Sequence, residues 1–103
     1  MNVANQILSQ LGGNKFIAMT GSKNFGADES SLSMTLTKNK AKAKYLRIEL
    51  TSMDTYNMIF RKENKKEFTF PVVAIFEGVY NDSLQKIFTE VTGLYTSLGT
   101  MGK

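Results

Sequence analysis

The sequence predicts an α+β domain: a four- or five-stranded, mainly antiparallel sheet with an N-terminal and a C-terminal helix. Three observations predict it. In Ser31-Leu32-Ser33-Met34-Thr35-Leu36-Thr37 apolar and hydroxyl residues alternate strictly, the two-residue period of a strand with one dry and one wet face. Leu46, Ile48 and Leu50, then Tyr56, Met58 and Phe60, repeat that period. At the chain ends, apolar residues instead recur every three or four positions, the period of an amphipathic helix.

The first helix carries the stripe Val3, Ala4, Ile7, Leu8 and Leu11, and Gly12-Gly13 would end it. Phe16-Ile17-Ala18-Met19-Thr20 reads as a strand. Residues 21–30 hold two glycines and a polar cluster around Asn24 and Asp28, so they read as a loop or wide hairpin, with Phe25 tucked against the core. The strand at 31–37 follows, then a turn at Lys38-Asn39-Lys40. A strand from about Lys44 to Leu50 places Leu46, Ile48 and Leu50 inward, with Tyr45, Arg47 and Glu49 outward. Thr51–Thr55 turns into a strand from about Tyr56 to Arg61, and the charged stretch 61–67 forms a hairpin loop.

A fifth strand is expected within 67–76. Pro71 has no N–H for a ladder, so it marks an edge position, a bulge or a division into two short strands. Gly78 ends that segment, and Asn81 or Asp82 caps the last helix. Its stripe of Leu84, Ile87, Phe88, Val91, Tyr95 and Leu98 runs through Gly93 to a stop at Gly99, with a break at Gly93 as the alternative. Deep burial is expected at Leu36, Leu46, Ile48, Ile87 and Phe88.

A chain of 103 residues is read as one domain, 1–103, with no repeat or linker dividing it. A hydrophobic fraction of 42%, with seven Phe and four Tyr, argues against disorder. The longest apolar run, Val72-Val73-Ala74-Ile75-Phe76, is far too short to span a membrane, and the N-terminus does not resemble a secretory signal. With no cysteine, the chain has no disulfide, thiolate nucleophile or zinc-finger ligand set. The absence of histidine removes the easiest general base near neutral pH. A cytoplasmic location is the default expectation.

Charge is unevenly spread. Residues 38–66 hold nine of the thirteen Lys and Arg against three acids, a net of +6, whereas the rest carries a net of −2. The ribbon comprises Lys38, Lys40, Lys42 and Lys44, continued by Arg47 and then by Arg61, Lys62, Lys65 and Lys66. Alternate lysines in an extended segment project to one side and can track a phosphate backbone. Lys44 has the parity of inward-facing Leu46, so the lysine segment must twist or leave the ladder before the next strand. An antiparallel hairpin would bring the 38–44 connection and the 61–66 loop to one end of the sheet. Tyr45, outward beside Arg47, offers a ring for an unpaired base. The plainer reading is a solvated turn that blunts an edge strand.

Other candidates are weaker. Gly12-Gly13-Asn14-Lys15 and Thr20-Gly21-Ser22-Lys23-Asn24 lack the spacing of a phosphate-binding loop, although Lys15 and Lys23 remain candidate anion contacts. Asp28 and Glu29 are adjacent, while Asp54, Glu63, Glu77 and Glu90 are scattered. Neither a metal site nor a carboxylate pair is expected, and Ser22 and Ser83 have no histidine partner for a triad. No catalytic residue or cofactor is expected. Around 72–76 both strand faces are apolar, which calls either for an interior strand or for a pairing surface, as in a homodimer.

The segment Gly12-Gly13-Asn14-Lys15-Phe16-Ile17-Ala18-Met19-Thr20-Gly21-Ser22-Lys23-Asn24-Phe25 resembles one in small uncharacterised proteins of bacteriophages and mobile elements. Leu46-Arg47-Ile48-Glu49-Leu50 with Met53-Asp54-Thr55-Tyr56 resembles their middle, and Phe88-Thr89-Glu90-Val91-Thr92-Gly93-Leu94 their end. That resemblance implies no particular activity. In architecture alone, a curved antiparallel sheet followed by a helix resembles the single-stranded-DNA-binding fold of PC4-type transcriptional coactivators, to which this chain adds an N-terminal helix and a fifth strand. The leading expectation is non-enzymatic binding of single-stranded DNA or RNA through the basic ribbon. The alternative is a phage or mobile-element interaction or assembly factor that binds an acidic protein, as a homodimer or otherwise.

Overall fold

The segments with a two-residue period pair with their sequence neighbours. The computed structural model describes residues 3–96. Its helices are α1 (Val3–Leu11), α2 (Asn14–Thr20) and α3 (Leu84–Thr92), the last preceded by a short 3-10 turn at Asn81–Ser83. The strands are β1 (Lys23–Ala27), β2 (Ser31–Thr35), β3 (Tyr45–Leu50), β4 (Tyr56–Arg61) and β5 (Val72–Val79). They form one five-stranded antiparallel sheet in the order β1-β2-β3-β4-β5, which leaves β1 and β5 as edges. No helix among the described residues is long and apolar enough to cross a membrane.

Register aligns the apolar positions into rows. Leu32 pairs with Ile48 and Ile48 with Met58; Met34 pairs with Leu46 and Leu46 with Phe60. These side chains are buried together with Ala4, Ile7 and Leu11 of α1, Phe16 of α2, and Leu84 and Phe88 of α3. The Phe16 and Phe88 rings meet edge to face with centroids 5.0 Å apart, tying α2 to α3. Phe60 does the same with Phe76 at 6.3 Å, tying β4 to β5. The helices thus cover one face of the sheet.

Several expectations need correction. Phe16–Thr20 lies in a helix, not a strand. A five-residue apolar run has no period that separates a buried strand from a buried helix, and here burial falls on Phe16 and Thr20, one helical turn apart. Thr20 Oγ1 donates to the Phe16 carbonyl at 2.7 Å, and the N–H of Gly21 reaches Ile17 O at 2.9 Å. Gly21 closes α2 at φ 69, where a Cβ would also lie 2.7 Å from Thr37 Cγ2. Residues 23–27, expected within a loop or wide hairpin, form an edge strand in a hairpin with β2, and Phe25 on it is exposed instead of tucked inward.

The second strand stops at Thr35, two residues early. β5 starts after Pro71 and runs through Gly78, whose φ of 68 accompanies a register shift against β4. Asn81 and Asp82 do not cap α3; its N-cap is Ser83, without a side-chain cap bond. Helix α3 stops at Gly93, which takes φ 77 and returns its N–H to Thr89 O at 2.8 Å. This is the break at Gly93 offered as the alternative; residues 93–96, with Tyr95, do not continue the helix, and the expected end at Leu98 and Gly99 lies outside the described residues.

Leu36, Leu46, Ile48 and Phe88 are buried as expected, but Ile87 is only half-buried at the edge of the core. Truncation should report this difference. Phe88→Ala should cost about 3–5 kcal/mol and Ile87→Ala distinctly less, measured by urea denaturation. Equal losses would contradict a core that lies on one side of the sheet.

Candidate functional site

Among the described residues no helix lies over the opposite face of the sheet, and its residues line up across the strands. At one end Lys23 pairs with Thr35, Thr35 with Tyr45, Tyr45 with Arg61, and Arg61 with Val72. The next row runs Gly26, Ser33, Arg47, Ile59 and Ile75. Ser31, Glu49 and Asn57 form a third. This face passes from basic and aromatic at one end to acidic at the other.

Arg47 divides the two ends. Its Nη2 donates to Asp28 Oδ2 at 3.1 Å and its Nε to Glu49 Oε2 at 3.3 Å. These are the ion pairs found among the described residues. Asn57 Nδ2 also reaches Glu49 Oε1 at 3.5 Å. Arg47 is therefore drawn toward acids instead of standing free in the ribbon. The Asp28 carboxyl is lowered from 3.8 to about 2, first by the backbone N–H of Ser30, then by the Ser31 hydroxyl and Arg47, against an opposing effect of burial.

The other end of the face holds Tyr45, Arg61 and Phe70 around a shallow, largely apolar recess. The rings of Tyr45 and Phe70 meet edge to face, with centroids 5.4 Å apart and planes at 76°. Arg61 Nη1 donates to the Phe70 carbonyl at 2.8 Å, which fixes the guanidinium beside both rings. Phe70 is 47% exposed. Sequence reasoning found Tyr45 and Arg61 for this site but did not place Phe70 in it. Pro71 interrupts the alternation there, so no period signalled which face Phe70 would join.

The two lysine-bearing segments do meet at this end of the sheet. The N–H of Lys44 donates to Arg61 O at 2.7 Å, and that of Lys62 to Pro71 O at 3.0 Å. Residues 38–44 are not an extended ribbon, however. Asn39 gathers them: its Nδ2 donates to Thr37 O and Ala43 O, both at 2.8 Å, while its Oδ1 accepts from Ala41 N at 3.1 Å and Ala43 N at 3.2 Å. Lys42 takes φ 58 within this turn. The N–H of Lys40 bonds Thr92 O at 3.1 Å, and its aliphatic stem passes beside Gly93. Lys38, Lys40 and Lys42 are exposed, and Lys44 is half-buried.

Lys62 and the hairpin-tip residues Lys65 and Lys66 are also exposed. Asn64 shapes that tip, its Oδ1 accepting from Lys66 N at 3.1 Å and Glu67 N at 3.2 Å. Lys15 stands on α2 and Lys23 on β1, so the two anion candidates belong to different elements and do not form a loop. Ser22 is buried in a bond with Thr20 Oγ1 at 2.8 Å. Among the described residues no group of three or more acidic side chains is placed to hold a metal ion.

No family model matches the chain, and neither a curated protein nor a solved structure matches it.

Two outcomes are expected. Asn39→Ala should cost about 1–3 kcal/mol by denaturant unfolding, because it leaves partly buried backbone groups without partners; an unchanged midpoint would show that the turn does not need the carboxamide. Because folding depresses the Asp28 pKa, the stabilisation it brings is present above 3.8 and is lost as pH falls through about 2. A carboxyl titration followed by NMR should place its midpoint near 2, and Arg47→Gln should raise it. A midpoint at the ordinary value would contradict this arrangement.

Proposed function

We propose that this chain is a non-enzymatic binder of single-stranded nucleic acid, acting through the basic end of its uncovered sheet face. The observation that carries the reading is the Tyr45–Phe70 ring pair, held beside Arg61 where the lysine-bearing turns converge. Tyr45, half-buried on β3, and Phe70, exposed just before β5, offer ring surface to unstacked bases, and such stacking is worth about 1–3 kcal/mol per base by alanine substitution. Lys42, Lys44 and Lys62 supply cations to the phosphates alongside, and binding through them is independent of base sequence. Bases paired inside a duplex cannot reach the rings, so a single strand fits this face better. Arg47 is assigned no phosphate contact, since Asp28 and Glu49 already hold it.

Fluorescence anisotropy with a labelled oligothymidylate and a duplex of equal length tests the reading. Binding should favour the single strand and weaken steeply with salt. Tyr45→Ala and Phe70→Ala should each weaken it roughly five-fold or more, at unchanged helix and sheet content. Failure to bind at low ionic strength would reject the proposal. Dependence on the lysines but not the rings would point to attraction by charge alone, as at a site for an acidic protein, and would also reject it.

A further inference from the structure

We infer that two copies of this chain join edge to edge through β5, in an antiparallel β5–β5 pair that continues the sheet across a two-fold axis. Among the described residues β5 pairs with β4 on one side, and no strand pairs with its other side. An open edge presents unsatisfied N–H and C=O groups, and soluble proteins guard such edges by shortness, charge, proline or bulges. The opposite edge, β1, has these guards. It is five residues long, begins at Lys23, shifts register before Gly26 and holds Asn24 at φ 55.

β5 is built differently. It has eight residues and contains neither lysine nor proline. Its register shifts fall near its ends, leaving Ala74, Ile75 and Phe76 in regular register with Phe60, Ile59 and Met58. Val72, Val73 and Ile75 are 45%, 37% and 53% exposed. The centre of this edge is therefore regular, apolar and open.

Charge selects the occupant. β5 begins beside Arg61 and Lys62 and ends at Glu77 and Val79, with Asp82 just beyond. A parallel pairing would set like ends together. An antiparallel pairing about a two-fold axis places the basic start of each strand toward the acidic end of the other, so the edge complements itself. It also brings the exposed Val73 and Ile75 side chains of both copies onto one shared face, where cross-strand apolar pairs add stability. None of this depends on nucleic-acid binding.

Sedimentation of the full chain over a wide concentration range, with amide exchange on the same samples, tests the inference. The expected result is a reversible monomer–dimer equilibrium in which the β5 amides that do not bond β4 become protected as dimer forms. Val73→Lys with Ile75→Lys should weaken association roughly ten-fold or more by placing like charges across the axis. Circular dichroism and the thermal midpoint should show that the fold survives. Glu77→Lys, which leaves every apolar group in place, should weaken it as well. A chain that stays monomeric at the highest concentration would overturn the inference. So would a dimer indifferent to the lysine substitutions, or a monomer in which the β5 amides that do not bond β4 are already protected. Oligothymidylate binding by the double variant separates the two proposals: retained binding with lost dimerisation leaves the nucleic-acid reading intact.

Discussion

The structure depends on one-sided burial enforced by the two-residue period of β2, β3 and β4. Leu32, Met34, Leu46, Ile48, Met58 and Phe60 all fall on one face because their strands pair without a slip. A slip of one residue would turn each of them to water. α1, α2 and α3 fill that face through Ile7, Leu11, Phe16, Leu84 and Phe88. A chain this small leaves roughly a third or more of its unfolded surface exposed, so it has little material for a second cover. The remaining face is left without a helix from the described residues, and Ile59, Ile75 and the Tyr45–Phe70 pair on that side need a reason outside the core.

That face is sorted by charge. Asp28 and Glu49 hold Arg47 at one side, so the cation nearest the middle of the sheet contributes little free field. At the other side, Arg61 is fixed by a carbonyl, and among the described residues no carboxylate pairs with it. The turns nearby follow the same economy. Asn39 and Asn64 use neutral carboxamides to satisfy the backbone, leaving Lys38, Lys42, Lys65 and Lys66 to solvent. Rings held in place and cations left free are what a polyanion with stacking groups requires.

The central strands were legible because each has a dry and a wet face, and alternation survives any turn between them. The α+β class and the terminal helices followed from the same periods. What escaped the sequence lacked such contrast. Phe16–Thr20 is too short and too uniformly apolar for its period to distinguish helix from strand. β1 is an edge strand whose sequence, Lys-Asn-Phe-Gly-Ala, has no buried face to write a pattern. Gly78 was read as a stop but serves as a bulge, and Gly93 was read through, with a break there as the alternative, because Tyr95 continues the stripe past the helix end. In the candidate site, Tyr45 and Arg61 were visible from strand parity. Asp28 as a second partner of Arg47, beside Glu49, was not, since it lies 19 residues away and no local pattern encodes that pairing. Phe70 was hidden by Pro71.

The central claim is that the uncovered face, at its basic and aromatic end, is the surface that works. Residue-by-residue mapping tests it most directly: the amide and aromatic NMR signals of labelled protein, followed as an unlabelled oligothymidylate is added at low salt. The account predicts shifts that begin at Tyr45, Arg61 and Phe70, extend into the 38–44 turn, and leave α1 and α3 unmoved. Shifts centred on the helices, or none at all, would contradict it.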